Sequence, residues 1–141
     1  MASTIINCDP VVPSYGNGPK FALGIVKGRQ FTLDASGAVY LDMDYKRDMF
    51  TGYASMQLIM TSGAVTIQLQ SDNTGDYANF MIGYDTTGTA HPALCTAQTA
   101  SKFFESIDVP AALRNRWKIS EAAGTPAAAS GTIYLFLSQG V

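Results

Sequence analysis

Apolar and polar residues alternate along much of this chain. In residues 65–70, Val, Ile and Leu alternate with Thr and Gln. A strand directs successive side chains to opposite faces of a sheet, so this alternation predicts a strand with one buried and one solvated face. The same alternation occurs in residues 39–44, 56–60 and 116–119. Residues 133–137 are apolar on both faces, which predicts a strand that is central in its sheet or covered by another chain.

Turn-forming residues separate the predicted strands, and no longer window shows helical periodicity. Only Pro110–Asn115 has the composition of a helical turn, with proline at its first position. Short strands between frequent turns predict an all-β domain, an antiparallel β-sandwich of jelly-roll-like topology. The turns are predicted from Gly, Pro, Asn, Asp and Ser at Lys27-Gly28, Ser36-Gly37, Ser62-Gly63, Asp72–Gly75, Thr86–Gly88, Gly124–Pro126 and Ser130-Gly131.

The N-terminal segment differs from the rest of the chain. Pro10, Pro13 and Pro19 lie within it. Because proline fixes φ and provides no N–H, such a segment forms neither a helix nor a central strand. We therefore predict an extended N-terminal arm over residues 1–19 and one β-sandwich domain over residues 20–141.

Charge is low and nearly balanced, with 14% charged residues and a formal net charge of −2. Electrostatic capture of nucleic acid or of an anionic membrane is therefore not expected. Cys8 and Cys95 are far apart and lack CxxC spacing, which predicts free thiols rather than a disulfide framework or a zinc site. The N-terminus lacks the pattern of a signal peptide, and no apolar run is long enough to span a membrane. We expect a soluble protein made in a cytoplasm.

The sequence offers little for catalysis or metal binding. His91 is the only histidine, and no nucleophile partner is recognisable. Asp42, Asp44 and Asp48 are potential oxygen ligands for calcium, but two basic residues lie between them and neutralise much of the field. The loop 71–76 lacks the acidic spacing and the distal glutamate of a calcium loop, and predicts a hairpin turn instead. We predict no catalytic residue, no cofactor, no metal site and no enzymatic activity.

A basic cluster surrounds the single tryptophan. Alternation places Trp117 on the face opposite Arg116 and Lys118, so the ring is predicted to lie in the core while the cations face solvent or the carboxylates of a neighbour. Bases therefore have no ring beside these charges on which to stack. The many tyrosines leave a second possibility, a carbohydrate-binding platform, which depends on whether several rings converge.

Three segments between Gly52 and Val141 carry a resemblance to a known family. They are VTIQLQSD at 65–72, IDVPAALRNRWKIS at 107–120 and AGTPAAASGTIYLFLS at 123–138. With a proline-containing turn, an arginine-flanked aromatic strand, a Gly- and Ala-rich hairpin and a final apolar strand in that order, the chain resembles the jelly-roll cement (decoration) proteins that coat capsids of tailed bacteriophages. The resemblance implies a virion protein on the capsid surface, made in the host cytoplasm, with the major capsid protein as partner and a homo-oligomeric state, a trimer being favoured.

Taken together, these features predict a non-enzymatic capsid cement protein that binds the outside of a phage head and staples neighbouring capsid subunits. A carbohydrate-binding module of a phage fibre or attachment protein remains an alternative, as does a tail or baseplate assembly protein. The partner-binding residues are predicted to lie in the arm and in the basic cluster. They are Val11, Val12, Pro13, Tyr15, Arg114, Arg116 and Lys118.

Overall fold

The computed structural model has nine β-strands and one short 3-10 helix in the part of the chain that it describes. That part comprises residues 4–11, 24–34, 37–44, 50–105, 107, 109–122 and 128–139, of which residues 4–11, 24–26, 44, 50–53, 138 and 139 are described as backbone. The strands are β1 (Thr4–Val11), β2 (Gly24–Leu33), β3 (Ala38–Asp44), β4 (Phe50–Ser62), β5 (Val65–Asp72), β6 (Cys95–Gln98), β7 (Lys102–Phe104), β8 (Arg114–Glu121) and β9 (Ala129–Gln139); the 3-10 helix is Tyr77–Asn79.

The strands form two antiparallel sheets that pack against each other. The five-stranded sheet has the order β1-β2-β9-β4-β7, and the four-stranded sheet has the order β3-β8-β5-β6. The pairs β2 with β9, β3 with β8, β4 with β7 and β5 with β6 are nested along the chain. One long hairpin folded onto itself gives this order, which is the eight-stranded jelly roll, with β1 added at an edge. The predicted all-β sandwich is confirmed.

The alternating positions of the strands form one core between the sheets. In β5 and β8, buried residues alternate with half-buried ones, as the sequence pattern predicts. Trp117 is 1% exposed and lies in register between Leu41 and Leu69, so its predicted place in the core is confirmed. The central position predicted for the last strand is also confirmed, because β9 lies between β2 and β4.

Two cations lie on the inward face of β2. Lys27 and Arg29 share the alternation of Phe31, which is buried. The Lys27 Nζ donates a hydrogen bond of 3.0 Å to the backbone carbonyl of Asp42, and the Arg29 guanidinium donates to that of Tyr40. Because β3 is an edge strand, the backbone carbonyls on the side away from β8 have no neighbouring strand to donate to them. The two side chains satisfy these carbonyls and link the sheets.

Two predicted turns are wrong. Lys27-Gly28 lies within β2, and Ser130-Gly131 lies within β9. Gly131 pairs with Phe31 across the strands. A Cβ at Gly131 would lie 2.4 Å from the carbonyl oxygen of Ile59 and 3.0 Å from the Phe31 ring. The glycine therefore permits a close approach inside the sheet rather than a reversal of the chain.

Other local predictions have mixed outcomes. The turns at Ser62-Gly63, Asp72–Gly75 and Thr86–Gly88 are confirmed by bends or turns at these positions. Pro110–Asn115 forms no helical turn, because β8 begins at Arg114 and the chain before it is irregular. The connection between β8 and β9 is not a hairpin, since these strands lie in different sheets. Gly124–Pro126 and Ser36 lie outside the described residues.

Residues 4–11 of the predicted arm form β1. This strand pairs antiparallel with β2 at the edge of the five-stranded sheet, and its register shifts between Asn7 and Pro10. Proline has no N–H to donate to a neighbouring strand. It is tolerated in an edge strand because one side of such a strand forms no hydrogen bonds with another strand. Residues 12–19 lie outside the described residues, so the division into an arm and a domain at residue 19 stays a prediction.

Candidate functional site

Two arginines lie on the outer face of the four-stranded sheet. Arg114 and Arg116 belong to β8, which is flanked by β3 and β5. The connection between β5 and β6 begins as a small hairpin, because Ser71 and Met81 exchange backbone hydrogen bonds of 2.8 and 3.1 Å. The residues between them reach this outer face, where two of their aromatic rings contact the arginines.

The guanidinium groups stack on three aromatic rings. The Cζ of Arg114 is 4.5 Å from the centroid of the Tyr77 ring and 5.2 Å from that of Phe80. The Cζ of Arg116 is 4.0 Å from the centroid of Tyr40 and 4.2 Å from that of Phe80. All four distances lie within the range of cation–π attraction. We call Tyr40, Tyr77, Phe80, Arg114 and Arg116 the Arg–aromatic face.

Hydrogen bonds fix the side chains of this face in place. Each arginine is held by a neighbour on β5, and the Tyr77 ring is tied to β3. Charge-assisted bonds of this kind are stronger than neutral ones, so the stacked geometry is held before any partner arrives. The bonds run from Arg114 to Asp72 Oδ2 (2.9 Å), from Arg116 Nε to Gln70 Oε1 (2.7 Å) and from the Tyr77 hydroxyl to Asp42 Oδ2 (2.8 Å).

The Asp72 carboxylate anchors both Arg114 and the following turn. Its side chain is 1% exposed. It accepts hydrogen bonds from the hydroxyl and N–H of Thr74, from the N–H of Gly75 and from Arg114. The hydrogen bond from the Thr74 hydroxyl and, with a smaller effect, that from Arg114 hold the pKa of Asp72 well below its usual range. The same ion pair raises the pKa of Arg114.

We expect Asp72→Asn to destabilise the protein in a pH-dependent way. A depressed carboxyl pKa stabilises the fold fully above the ordinary pKa of about 3.9, and this stabilisation is lost as the pH falls toward the depressed value. The difference in unfolding free energy between wild type and variant should therefore be constant above about pH 5 and shrink below about pH 4. Urea denaturation at a series of pH values measures it, with Asp34→Asn as a control; a difference independent of pH down to pH 2 would contradict the argument.

The predicted partner-binding residues fall into two groups. Arg114, Arg116 and Lys118 lie together on the outer face of β8, where Lys118 is half-buried in register between Tyr40 and Gln68. Val11 is the last residue of β1. The other predicted residues, Val12, Pro13 and Tyr15, lie outside the described residues. The three basic residues therefore lie on one face of β8. A shared binding surface between them and the arm stays a prediction.

Sequence reasoning missed the aromatic half of this face. Tyr77 and Phe80 come from the connection between β5 and β6, which has no periodic pattern. The short spacing from Asp72 to Tyr77 contains turn formers, but nothing in it indicates which sheet face the turn will cover. Of the three rings, only Tyr40 has a position that the strand alternation specified.

The outer face of the five-stranded sheet has a different character. A groove of about 450 Å³ lies on it, lined by Ser55, Gln57, Phe103, Tyr134 and Phe136. These residues come from β4, β7 and β9. Their positions in register place Gln57 between Phe103 and Tyr134, and Ser55 next to Phe136. We call these five residues the aromatic groove.

The other residues considered for catalysis or metal binding are His91, Cys95 and the aspartates Asp42, Asp44 and Asp48. The backbone carbonyl of His91 accepts a hydrogen bond from the side chain of Gln68, and its backbone N–H donates one to the carbonyl of Gly83. Cys95 is a free, buried thiol whose pKa is raised by burial. Asp42 binds Tyr77, the side chain of Asp44 is outside the described part, and so is Asp48. Within the described ranges, no three His, Cys, Asp or Glu residues form a group that could hold a metal ion.

The fold and its two outer faces define a jelly-roll β-sandwich with candidate binding surfaces. No helix among the described residues is long and apolar enough to cross a membrane. Comparison with protein-family models, with curated proteins and with solved structures gives no match for this chain.

Proposed function

We propose that this chain is a non-enzymatic virion structural protein, a capsid cement (decoration) protein that binds the outside of a tailed-phage head and staples neighbouring capsid subunits. The observation that carries the proposal is the Arg–aromatic face. Arginine and tyrosine are enriched at the energetic centres of protein interfaces. Here two arginines and three rings form one cluster on the outer face of a rigid sheet.

The geometry of this face favours binding to another protein. Binding usually costs side-chain entropy, because long side chains such as arginine must be ordered. Arg114 and Arg116 are already ordered by stacking and by hydrogen bonds to Asp72 and Gln70. Tyr77 remains 53% exposed, which leaves apolar area for a partner to cover. A preorganised face of this kind docks at low entropic cost.

The rest of the molecule is consistent with a stapling role. A sandwich with one continuous core is a rigid body, as a protein that resists movement between capsid subunits must be. The resemblance to cement proteins is the basis for the proposed location, which is the capsid surface. It is also the basis for the proposed partner, which is the major capsid protein. Assembly as a homo-oligomer, with a trimer favoured, would let several modest contacts act together on a symmetric shell. Two of the segments that carry the resemblance, 65–72 and 107–120, include β5 and all but the last residue of β8 in the four-stranded sheet.

We expect the purified protein to co-sediment saturably with DNA-filled heads of the phage that encodes it, and Arg116→Ala to weaken this binding about 30-fold. The change removes a planar cation that stacks on Tyr40 and Phe80, and Arg116→Lys should restore little because lysine is not planar. Tyr134→Ala, on the opposite sheet, is the matched control and should bind like wild type. If the heads bind neither wild type nor Tyr134→Ala, the assignment to the capsid is wrong. It is also wrong if purified tails bind the protein and heads do not.

The arm needs a variant that leaves β1 intact. Deleting residues 1–19 would remove β1 and expose the edge of β2, so a loss of binding would have two explanations. Tyr15→Ala and Pro13→Ala change the predicted arm outside β1. If the arm contributes, both variants should weaken co-sedimentation while the circular dichroism spectrum stays unchanged; binding equal to wild type would remove the arm from the proposal.

A further inference from the structure

The aromatic groove combines rings and polar groups, and none of its five lining residues is charged. Phe103 and Tyr134 are 55% and 42% exposed, and Phe136 is half-buried beside them. Gln57 lies in the strand between the two exposed rings. Neighbouring strands are about 4.8 Å apart, so the rings flank the amide at a spacing of about 10 Å. Exposed rings therefore lie on both sides of a polar side chain.

The polar groups of the groove are uncommitted, unlike those on the other sheet. Within the part of the chain that the structure describes, the Ser55 hydroxyl, the Gln57 amide and the Tyr134 hydroxyl have no hydrogen-bond partner in the protein. On the four-stranded sheet, by contrast, Gln70 is bonded to Arg116. A small number of convergent polar groups among aromatic side chains is typical of a ligand site, and the volume falls in the usual range for small ligands.

The charge of this face restricts the ligand. The outward residues of β4 and β9 that line or border the groove are serine, glutamine, isoleucine, threonine, tyrosine and phenylalanine, none of which is charged. Lys102, next to Phe103 in sequence, lies over the Phe104 ring instead, with its Nζ 5.5 Å from the centroid. Among the described residues that line the groove, a phosphate or carboxylate ligand finds no cation with which to pair. This lining disfavours an anion, whereas a neutral ligand needs no charged partner from it.

A neutral ligand with one apolar face and a rim of hydroxyl groups meets these conditions. A sugar ring presents an apolar face of C–H groups that can stack on an aromatic ring, and a rim of hydroxyls that can bond to amide and hydroxyl side chains. A base in a nucleotide or a nucleic acid also stacks, but it is attached to phosphates, for which the described lining of the groove has no cation. We propose that the aromatic groove binds a neutral saccharide, stacked on Tyr134 and Phe103 and hydrogen-bonded to Gln57 and Ser55.

The site is independent of the proposed cement function. The aromatic groove lies on the five-stranded sheet and the Arg–aromatic face on the four-stranded sheet, so the two point away from each other across the core. A protein bound to a capsid through the four-stranded sheet would display the groove to the surroundings. Loss of one activity therefore leaves the other measurable.

The test is binding of the full chain to immobilised neutral oligosaccharides, with sulfated and sialylated counterparts as charged controls. We expect saturable binding to at least one neutral glycan. Tyr134→Ala and Phe103→Ala should weaken it about tenfold or more through loss of stacking, while Tyr134→Phe should keep most of the affinity. Tyr84→Ala removes an exposed ring in the connection between β5 and β6 and should change nothing.

Three outcomes would overturn the proposal. One is no saturable binding to any neutral glycan. The second is preference for the charged glycans, which the uncharged lining does not explain. The third is that Tyr134→Ala and Phe103→Ala change the oligomeric state in analytical ultracentrifugation, since the groove would then be an interface between copies of this chain.

Discussion

Trp117→Ala is expected to lower the free energy of unfolding by about 3–5 kcal/mol, the cost of removing a large ring from a packed core. The ring is 1% exposed in β8, between Leu41 and Leu69 in register. Its neighbours belong to hydrogen-bonded strands, so they have little freedom to close the cavity. Because Trp117 is the only tryptophan, urea denaturation should be followed by circular dichroism rather than by fluorescence.

Trp117→Phe is the informative companion to this variant. The indole N–H of Trp117 is buried and has no acceptor among the described residues. Phenylalanine removes that unsatisfied donor and leaves a smaller cavity, so its cost should stay below about 2 kcal/mol. If alanine costs less than 1 kcal/mol, or if phenylalanine costs as much as alanine, the packing described for this ring is wrong.

Gly131→Ala is expected to have the second-largest effect, a loss of about 3 kcal/mol, at the upper end of the cost of overpacking. The added Cβ would lie 2.4 Å from the carbonyl oxygen of Ile59. That carbonyl belongs to β4, and Gly131 belongs to β9 at the centre of the sheet, so neither backbone can shift without breaking the ladder. The Phe31 ring, 3.0 Å from the same Cβ, would have to move as well.

Gly83→Ala is the matched control for Gly131→Ala. At Gly83 the nearest atom to an added Cβ is 4.0 Å away, in the side chain of His91. Its unfolding free energy should stay within about 0.5 kcal/mol of wild type. Equal stability of the two alanine variants in parallel urea titrations would contradict the close packing at Gly131.

Alternation in the sequence predicts the strands whose inward residues are all apolar. Residues 65–70 and 133–137 are such cases, and they correspond to β5 and β9. In β2 the alternation is hidden, because Lys27 and Arg29 occupy inward positions where they bond to carbonyls of β3. A lysine followed by Gly28 has the composition of a turn, but both residues pair with β9 and the strand continues through them.

The candidate surfaces were less predictable than the fold. Alternation placed Arg116 on an outer face, and that position agrees with the structure. It did not indicate that Phe80 would stack on Arg116, because loop residues carry no period. The aromatic groove depends on Phe103 and Tyr134 lying two strands apart, and this depends on strand order, which local patterns do not encode.

The nesting of strand pairs has a consequence for how the chain reaches its native state. The β5–β6 pair joins residues close in sequence, whereas β2 must find β9, with Gly24 opposite Ser138. Closing such a long loop costs entropy before any contact compensates for it. A topology dominated by non-local contacts refolds on the millisecond-to-second timescale rather than in microseconds. We therefore expect the β2–β9 pair to be the last pair of strands to be protected from hydrogen exchange during refolding.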